Sequence, residues 1–162
     1  VYCSHGHFDH NHTQNVTLTE GGEDPFAVTE VPSFHDGQGG ALRGPNTIRR
    51  FAAEGLSVVH LGDLGCQLTA EQVRALRPCD ALLVPVGGFY TIDARGAKAV
   101  AEALSPRVIV PMHYRTETFG LREIDTVEPF LALFSKELVR HYDANRLELT
   151  ADTPAQVAVL SV

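Results

Sequence analysis

The sequence contains no tryptophan, a single methionine and only three cysteines. Cys3, Cys66 and Cys79 lie far apart and form no CxxC pair, which argues against a disulfide framework and favours free thiols in a reducing compartment. No apolar run approaches the roughly 18 residues that a membrane-spanning helix requires, and no signal peptide is recognisable. These absences predict a cytoplasmic protein that has no membrane partner.

Basic charge is scarce as well. Thirteen lysines and arginines face 20 aspartates and glutamates, which gives a formal net charge of −7. Proteins that bind nucleic acid usually present clustered basic residues, so this balance argues against a nucleic-acid partner. A small-molecule substrate is the expected partner, and homo-oligomerisation stays open. With 44% hydrophobic residues, positions 1–162 have enough apolar material for one domain.

Residues 4–10 carry the most chemical information, because they read SHGHFDH and contain the pattern HxHxDH. Imidazole nitrogen is a ligand for zinc, iron, manganese or nickel, and a carboxylate suits a harder ion beside it. In an extended chain His5, His7 and Asp9 project to one side while His10 points across, so one turn can serve two adjacent ions. The alternative is a histidine-rich surface loop or a tag remnant, but tags lack an interleaved aspartate.

Three further candidate ligands stand where predicted strands end. His35 closes an apolar stretch, Asp63 follows the β-branched run at 56–61, and His113 closes the run at 107–112. A pair of ions needs about six or seven protein groups, one of them bridging. The carboxylate of Asp63 is the candidate bridge, so the sequence offers a complete set of ligands.

The order of these motifs, together with the segments HLGDLG, PVGGFYTID and PMHY, resembles the metallo-β-lactamase superfamily. Within it, the chain is similar to the branch of Zn-dependent hydrolases akin to the ascorbate-6-phosphate lactonases, over about residues 1 to 135. The resemblance implies a site for two zinc ions, with manganese or iron as alternatives. It implies that His5, His7 and His35 hold the first ion, and that Asp9, His10 and His113 hold the second, with Asp63 between them.

The resemblance also implies the fold class, which is α/β with the αβ/βα four-layer metallo-β-lactamase sandwich. Members of the family have strands before the first motif, so we expect this single domain to lack its N-terminal strands and to open on the strand that leads into His5. Turn residues and capping signals then predict the remaining elements. Strands are predicted at 16–18, 25–32, within 41–51, and at 56–61, 81–85, 107–111, 146–150 and 155–162, and helices at 69–76, 94–104 and 126–138.

The chemistry expected of such a site is metal-assisted hydrolysis, in which two cations lower the pKa of a shared water and polarise a carbonyl or phosphoryl oxygen. Asp9 and Asp63 are the predicted catalytic residues, Asp63 by positioning the ion pair and Asp9 by accepting or relaying a proton. Arg43, after a glycine-rich loop, is a candidate contact for an anionic substrate group, and Tyr114 for an oxyanion. An ordinary turn and a tyrosine packed at the pocket rim are the respective alternatives.

The sequence is compatible with three functions. The first is a dinuclear zinc hydrolase of a small ester, lactone or phosphoester. The second is a metallonuclease, which the acidic balance disfavours, and the third is a mononuclear iron oxygenase, which the presence of Asp9, His10 and His113 disfavours. His60 precedes the Gly62-Asp63 turn and is expected to be a buried imidazole that supports a ligand without being one.

Overall fold

The computed structural model describes residues 1–17 and 21–161. The strands among them form one seven-stranded mixed sheet. Its elements in chain order are β1 (Ala27–Phe34), β2 (Pro45–Ala53), β3 (Leu56–His60), α1 (Ala70–Leu76), β4 (Ala81–Pro85), α2 (Ala94–Leu104), β5 (Val108–Met112), α3 (Glu128–Leu131), β6 (Val139–His141) and β7 (Gln156–Val159), with 3-10 helices at Thr13–Asn15 and Lys136–Leu138.

The sheet has the strand order β1-β2-β3-β4-β5-β7-β6. β1, β2 and β3 pair antiparallel, whereas every pair from β3 onward is parallel. Parallel strands bring their carboxyl ends to one edge of a sheet, where ligands commonly bind in α/β proteins. Residues that directly follow β3 and β5 therefore lie close together, and these include Asp63 and His113.

The two longer helices begin at caps that the sequence predicts. Thr69 Oγ1 accepts a hydrogen bond from the Gln72 amide at 3.2 Å, and Gln72 Oε1 accepts one from the Thr69 amide at 2.8 Å. This reciprocal pair is the capping box that opens α1. The Asp93 side chain accepts from the Gly96 amide at 2.8 Å and caps α2, whose predicted bounds are confirmed.

The main core lies between the sheet and the helices. Along β4, Leu82 and Val84 are fully buried in this core, together with Phe130 of α3. Ala81 alternates to the opposite face, where it belongs to a smaller cluster with Val108. The α/β class is thus confirmed. The described residues form one sheet of the expected sandwich and the helices that pack on it, and they form no second sheet.

Several predicted elements differ from the structure. Residues 1–3 form no strand, and neither do Val16 and Thr17; Leu18, the last residue of that predicted strand, lies outside the described residues. The predicted strand at 146–150 is wrong, since this segment has no ladder and its Leu147 and Leu149 pack against the smaller cluster instead. The short strand β6 was not predicted.

The predicted helix at 126–138 is also wrong in its extent. The structure has four residues of α-helix in α3 and, further on, the 3-10 helix Lys136–Leu138. Ser135, which precedes that 3-10 helix, has extended backbone with φ −67° and ψ 143°, so the α-helix cannot continue through it. None of the described helices has the length and apolar character of a membrane-spanning segment.

Candidate metal centre

The HxHxDH segment is fastened to the start of β2. The Thr47 amide donates to the Ser4 carbonyl at 2.8 Å, and Arg49 Nη1 donates to the Cys3 carbonyl at 2.8 Å. The His10 amide then closes a turn on the His7 carbonyl at 3.0 Å. As a result the His5 ring lies 4.6 Å from the His7 ring and 4.4 Å from the His10 ring, measured between centroids.

His35 and His113 enter the site from the ends of β1 and β5. His35 Nδ1 lies 3.1 Å from the Tyr90 carbonyl, and because a carbonyl only accepts, this nitrogen is the donor. His35 Nε2 is thereby directed at the site. The His113 carbonyl accepts from the Gly87 amide at 3.0 Å, and His113 has a left-handed φ of 54°, a strained conformation typical of functional positions.

Asp63 is the point on which these imidazoles converge. Its Oδ2 atom lies 3.1 Å from His35 Nε2, 3.4 Å from His113 Nε2, 3.5 Å from His10 Nε2 and 4.0 Å from His5 Nε2. The side chain of Asp63 is only 7% exposed. One buried carboxylate oxygen is therefore surrounded by four ring nitrogens, which is the arrangement expected of a bridging group.

Two groups of potential ligands have donor atoms within 4.8 Å of one another. The first is His5, His7 and His35, the three residues predicted for the first ion. The second is His5, His10 and Asp63. Asp9, predicted for the second ion, is more peripheral: its Oδ2 atom lies 3.7 Å from His10 Nε2, and its side chain is 56% exposed.

The donor atoms themselves indicate a cation. Among residues 1–17 and 21–161, the buried atoms His5 Nε2 and His113 Nδ1 have no hydrogen-bond partner, and His5 Nε2 faces Asp63. Buried polar atoms are almost always paired, so unpaired nitrogens in such a cluster call for a partner of another kind. Imidazole nitrogens together with a carboxylate are the ligands of zinc and related ions, and the residues present therefore fit such a metal.

The protonation states of Asp63 and His5 at neutral pH agree with metal binding. Burial opposes the ionisation of Asp63, but hydrogen bonds from His113 and His35 outweigh it and hold the pKa of the carboxyl well below its usual range. Burial lowers the pKa of His5 to about 4. For His35 and His113, burial lowers the pKa, but the hydrogen bond to Asp63, the negative charge of Asp63 and backbone hydrogen bonds together outweigh it, and the pKa is raised. The metal-binding forms of Asp63 and His5 thus prevail at neutral pH.

A cavity of about 330 Å³ opens over the cluster. Its wall away from the candidate ligands consists of Phe8, Arg43, Tyr90 and Leu121. The Arg43 guanidinium carbon lies 5.4 Å from the centroid of the Tyr90 ring, a cation–π contact. Arg43 therefore lies at the cavity, and its contact with substrate stays a prediction. Tyr114 does not line this cavity, because its side chain packs against the main core.

Sequence reasoning missed the residue that shapes the Arg43 loop. The Asp36 carboxylate is buried and accepts hydrogen bonds from the amides of Gln38, Gly40, Leu42 and Arg43, at 2.7 to 3.0 Å. Burial raises the pKa of Asp36, but these four donors outweigh it and the pKa is lowered. An aspartate that opens a glycine-rich turn is the signal that could have identified it.

Comparison with known proteins shows the family of the chain. Residues 1–113 match the family model described as the Beta-lactamase superfamily domain. The chain belongs to this superfamily. The resemblance inferred from the motifs is therefore confirmed at the level of the superfamily.

The chain is similar to a UPF0173 metal-dependent hydrolase of Archaeoglobus fulgidus, with 35% identity over 106 residues, which are 62% of this chain and 45% of that protein. It also resembles the crystal structure of a Thermotoga maritima protein assigned as a Zn-dependent hydrolase of the metallo-β-lactamase superfamily. That match has a TM-score of 0.70 and 40% identity, and it covers 82% of this chain and 63% of the other. The metallo-β-lactamase fold protein YhfI of Bacillus subtilis, at 14% identity and a TM-score of 0.52, shows the shared fold alone. The chain spans about half the length of the curated relatives that it matches.

Proposed function

We propose that this protein is a metal-dependent hydrolase that uses a dinuclear zinc site against a small ester, lactone or phosphoester. The observation that carries the proposal is the convergence of four imidazole nitrogens on Asp63 Oδ2 at 3.1 to 4.0 Å. A structural zinc site is normally closed by four protein ligands, whereas this cluster lies at the floor of an open cavity. An open site of this kind is typical of catalysis.

The ligands divide between two ions as the family resemblance implies. His5, His7 and His35 would hold one ion, and Asp9, His10 and His113 would hold the other, with Asp63 between them. When bound, such ions supply an activated water and polarise the bond to be cleaved. Asp63 stays ionised and fixes the spacing of the two sites, and Asp9, exposed at the cavity wall, takes up the proton that hydrolysis releases.

The cavity wall favours a substrate with an anionic group. Among residues 1–17 and 21–161, no carboxylate lies within ion-pair distance of the Arg43 guanidinium, and Tyr90 holds it beside the cavity. Phe8 and Leu121 supply apolar contacts on the same wall. A volume of about 330 Å³ suits a small molecule, and the net charge of −7 disfavours a nucleic acid. The three cysteines form no disulfide, which supports a cytoplasmic setting.

Metal analysis combined with a substrate panel tests this function. The purified protein, saturated with zinc at pH 7, is expected to bind two ions per chain and to hydrolyse at least one of a generic ester, a lactone and bis-p-nitrophenyl phosphate. Chelation should abolish the activity and added zinc should restore it. Failure of the folded protein to take up metal would refute the proposal, and a content of one iron alone would favour an oxygenase.

A further inference from the structure

The geometry points to Asn46 as the residue that positions Asp63 between the two ions. This inference rests on the proposed function, because it concerns the placement of the carboxylate that the proposed metal pair shares. Asn46 is the second residue of β2 and is only 1% exposed. Asn46 holds the backbone that carries Asp63, and the inference includes no contact between Asn46 and the substrate.

The Asn46 side chain uses both ends of its amide on neighbouring segments. Its Oδ1 accepts from the Asp63 amide at 3.0 Å. Its Nδ2 donates to the Leu61 carbonyl at 2.8 Å and to Ser33 Oγ at 2.8 Å. The side chain therefore clamps residues 61 and 63 from both sides, and it ties them to β1 through Ser33.

The clamped turn needs such an anchor because it leaves the sheet abruptly. β3 ends at His60, and Gly62 then adopts a left-handed φ of 59°. The Gly62 amide donates to His60 Nδ1 at 3.0 Å, which fixes the entry to the turn. A Cβ at Gly62 would collide with the Asn46 side chain, so the glycine and the asparagine fill one shared space. Within the described residues, the Asp63 amide that follows is held by its hydrogen bond to Asn46 Oδ1 alone.

Asn46 also has a neighbour that anchors the other half of the site. The next residue, Thr47, holds the HxHxDH segment through its bond to the Ser4 carbonyl at 2.8 Å. Two consecutive residues of β2 thus fix the histidine segment and Asp63 relative to each other. Burying an amide costs free energy that an apolar residue would not incur, so its polar atoms serve orientation rather than packing alone. Metal and catalytic groups must be held to within about 0.5 Å.

The test compares Asn46→Ala with Ser57→Ala. Ser57 is a matched control, because it is also buried and its Oγ lies within hydrogen-bond distance of the Pro78 carbonyl and the Asp80 carboxylate, at the opposite end of β3. Zinc affinity is measured by chelator competition. The stability of the metal-free proteins is measured by urea unfolding, and the ligand geometry is followed in the visible spectrum of the cobalt-loaded proteins. We expect Asn46→Ala to lose about 10- to 100-fold in zinc affinity with an altered cobalt spectrum. Ser57→Ala should lose stability only.

An Asn46→Ala protein that is folded and keeps the affinity and spectrum of the wild type would overturn the inference. If Asn46→Ala does not fold, Asn46→Ser replaces it, with the same expected loss. Hydrogen exchange in the metal-free wild type gives a check without substitution: the Asp63 amide should be protected, and rapid exchange would contradict the clamp. Absence of zinc binding in the wild type would instead refute the proposed function itself.

Discussion

The main core and the metal cluster use the same strands in opposite ways. In the middle of β4, Leu82 and Val84 are fully buried among apolar side chains, and burial by itself explains why they are there. Beyond the ends of the neighbouring strands, Asp63 and His113 place polar atoms in a protein interior, and His113 Nδ1 has no hydrogen bond within the described part of the chain. That arrangement costs desolvation free energy and requires strained backbone at His113. Folding alone therefore explains the core, whereas the cluster calls for a bound cation.

If this contrast is correct, substitutions should separate the two regions. Changes in the cluster should abolish metal binding and activity with modest effects on folding of the metal-free chain. Changes in the core should lower the free energy of unfolding and leave the set of ligands intact.

The largest effect is expected for Asp63→Ala. This substitution removes the group that faces four imidazoles, so hydrolysis should fall by at least about 1,000-fold, which corresponds to several kcal/mol of transition-state stabilisation. His60→Ala is the matched control, because His60 accepts a hydrogen bond from the Gly62 amide of the same turn and is not a candidate ligand; its loss should cost about 10- to 100-fold. Activity is measured at equal metal loading. Equal losses in the two variants would show that the bridge lies elsewhere.

Leu82→Ala tests the other region. Truncating a fully buried leucine should lower the free energy of unfolding by about 2–5 kcal/mol, since it loses apolar burial and leaves a cavity. Urea unfolding of the metal-free protein measures this loss. The folded variant should still bind the wild-type number of zinc ions, and a reduced number would mean that the core and the cluster are not separable.

The same contrast explains what the sequence could predict. α2, β4 and the Thr69 capping box follow from local signals, namely caps and short apolar runs, and these predictions are confirmed. The candidate ligands follow from side-chain chemistry: His5, His7, Asp9 and His10 form one dense motif, and His35, Asp63 and His113 come after strands. In the structure they lie together, although the division between two ions stays a prediction.

The features that sequence reasoning missed depend on contacts between distant segments. Asn46 looks like an ordinary turn residue until β1, β2 and the turn after β3 are assembled around it. Tyr90 contributes its backbone carbonyl to His35, and a carbonyl has no sequence signature. β6 is three residues long and is stabilised by its pairing with β7, so its local sequence gives little indication of a strand.

A smaller effect is expected from pH on the metal-free protein. His5 has a pKa near 4 in the fold against an ordinary value of 6.5, because burial disfavours its charged form. Its contribution to stability is therefore complete above pH 6.5 and is lost as the pH falls toward 4. Against His5→Gln, the wild type should lose on the order of 1–2 kcal/mol between pH 7 and pH 5, measured by urea unfolding. His35 and His113, whose pKa values are raised, remain in both proteins. Parallel pH profiles would show that His5 is not buried as a neutral imidazole.

Arg43→Ala is expected to weaken substrate binding and to leave the ions in place. A charged hydrogen bond to an anionic group contributes about 1.5–3 kcal/mol, so KM for an anionic substrate should rise about tenfold or more. KM for a neutral ester should stay unchanged, because Arg43 is not among the candidate metal ligands. Arg50→Ala is the matched control. Arg50 is an arginine of β2 that donates a hydrogen bond to the Pro78 carbonyl and does not line the cavity. If Arg43→Ala raised KM equally for both substrates, the arginine would be shaping the loop around Asp36 and would not be recognising charge.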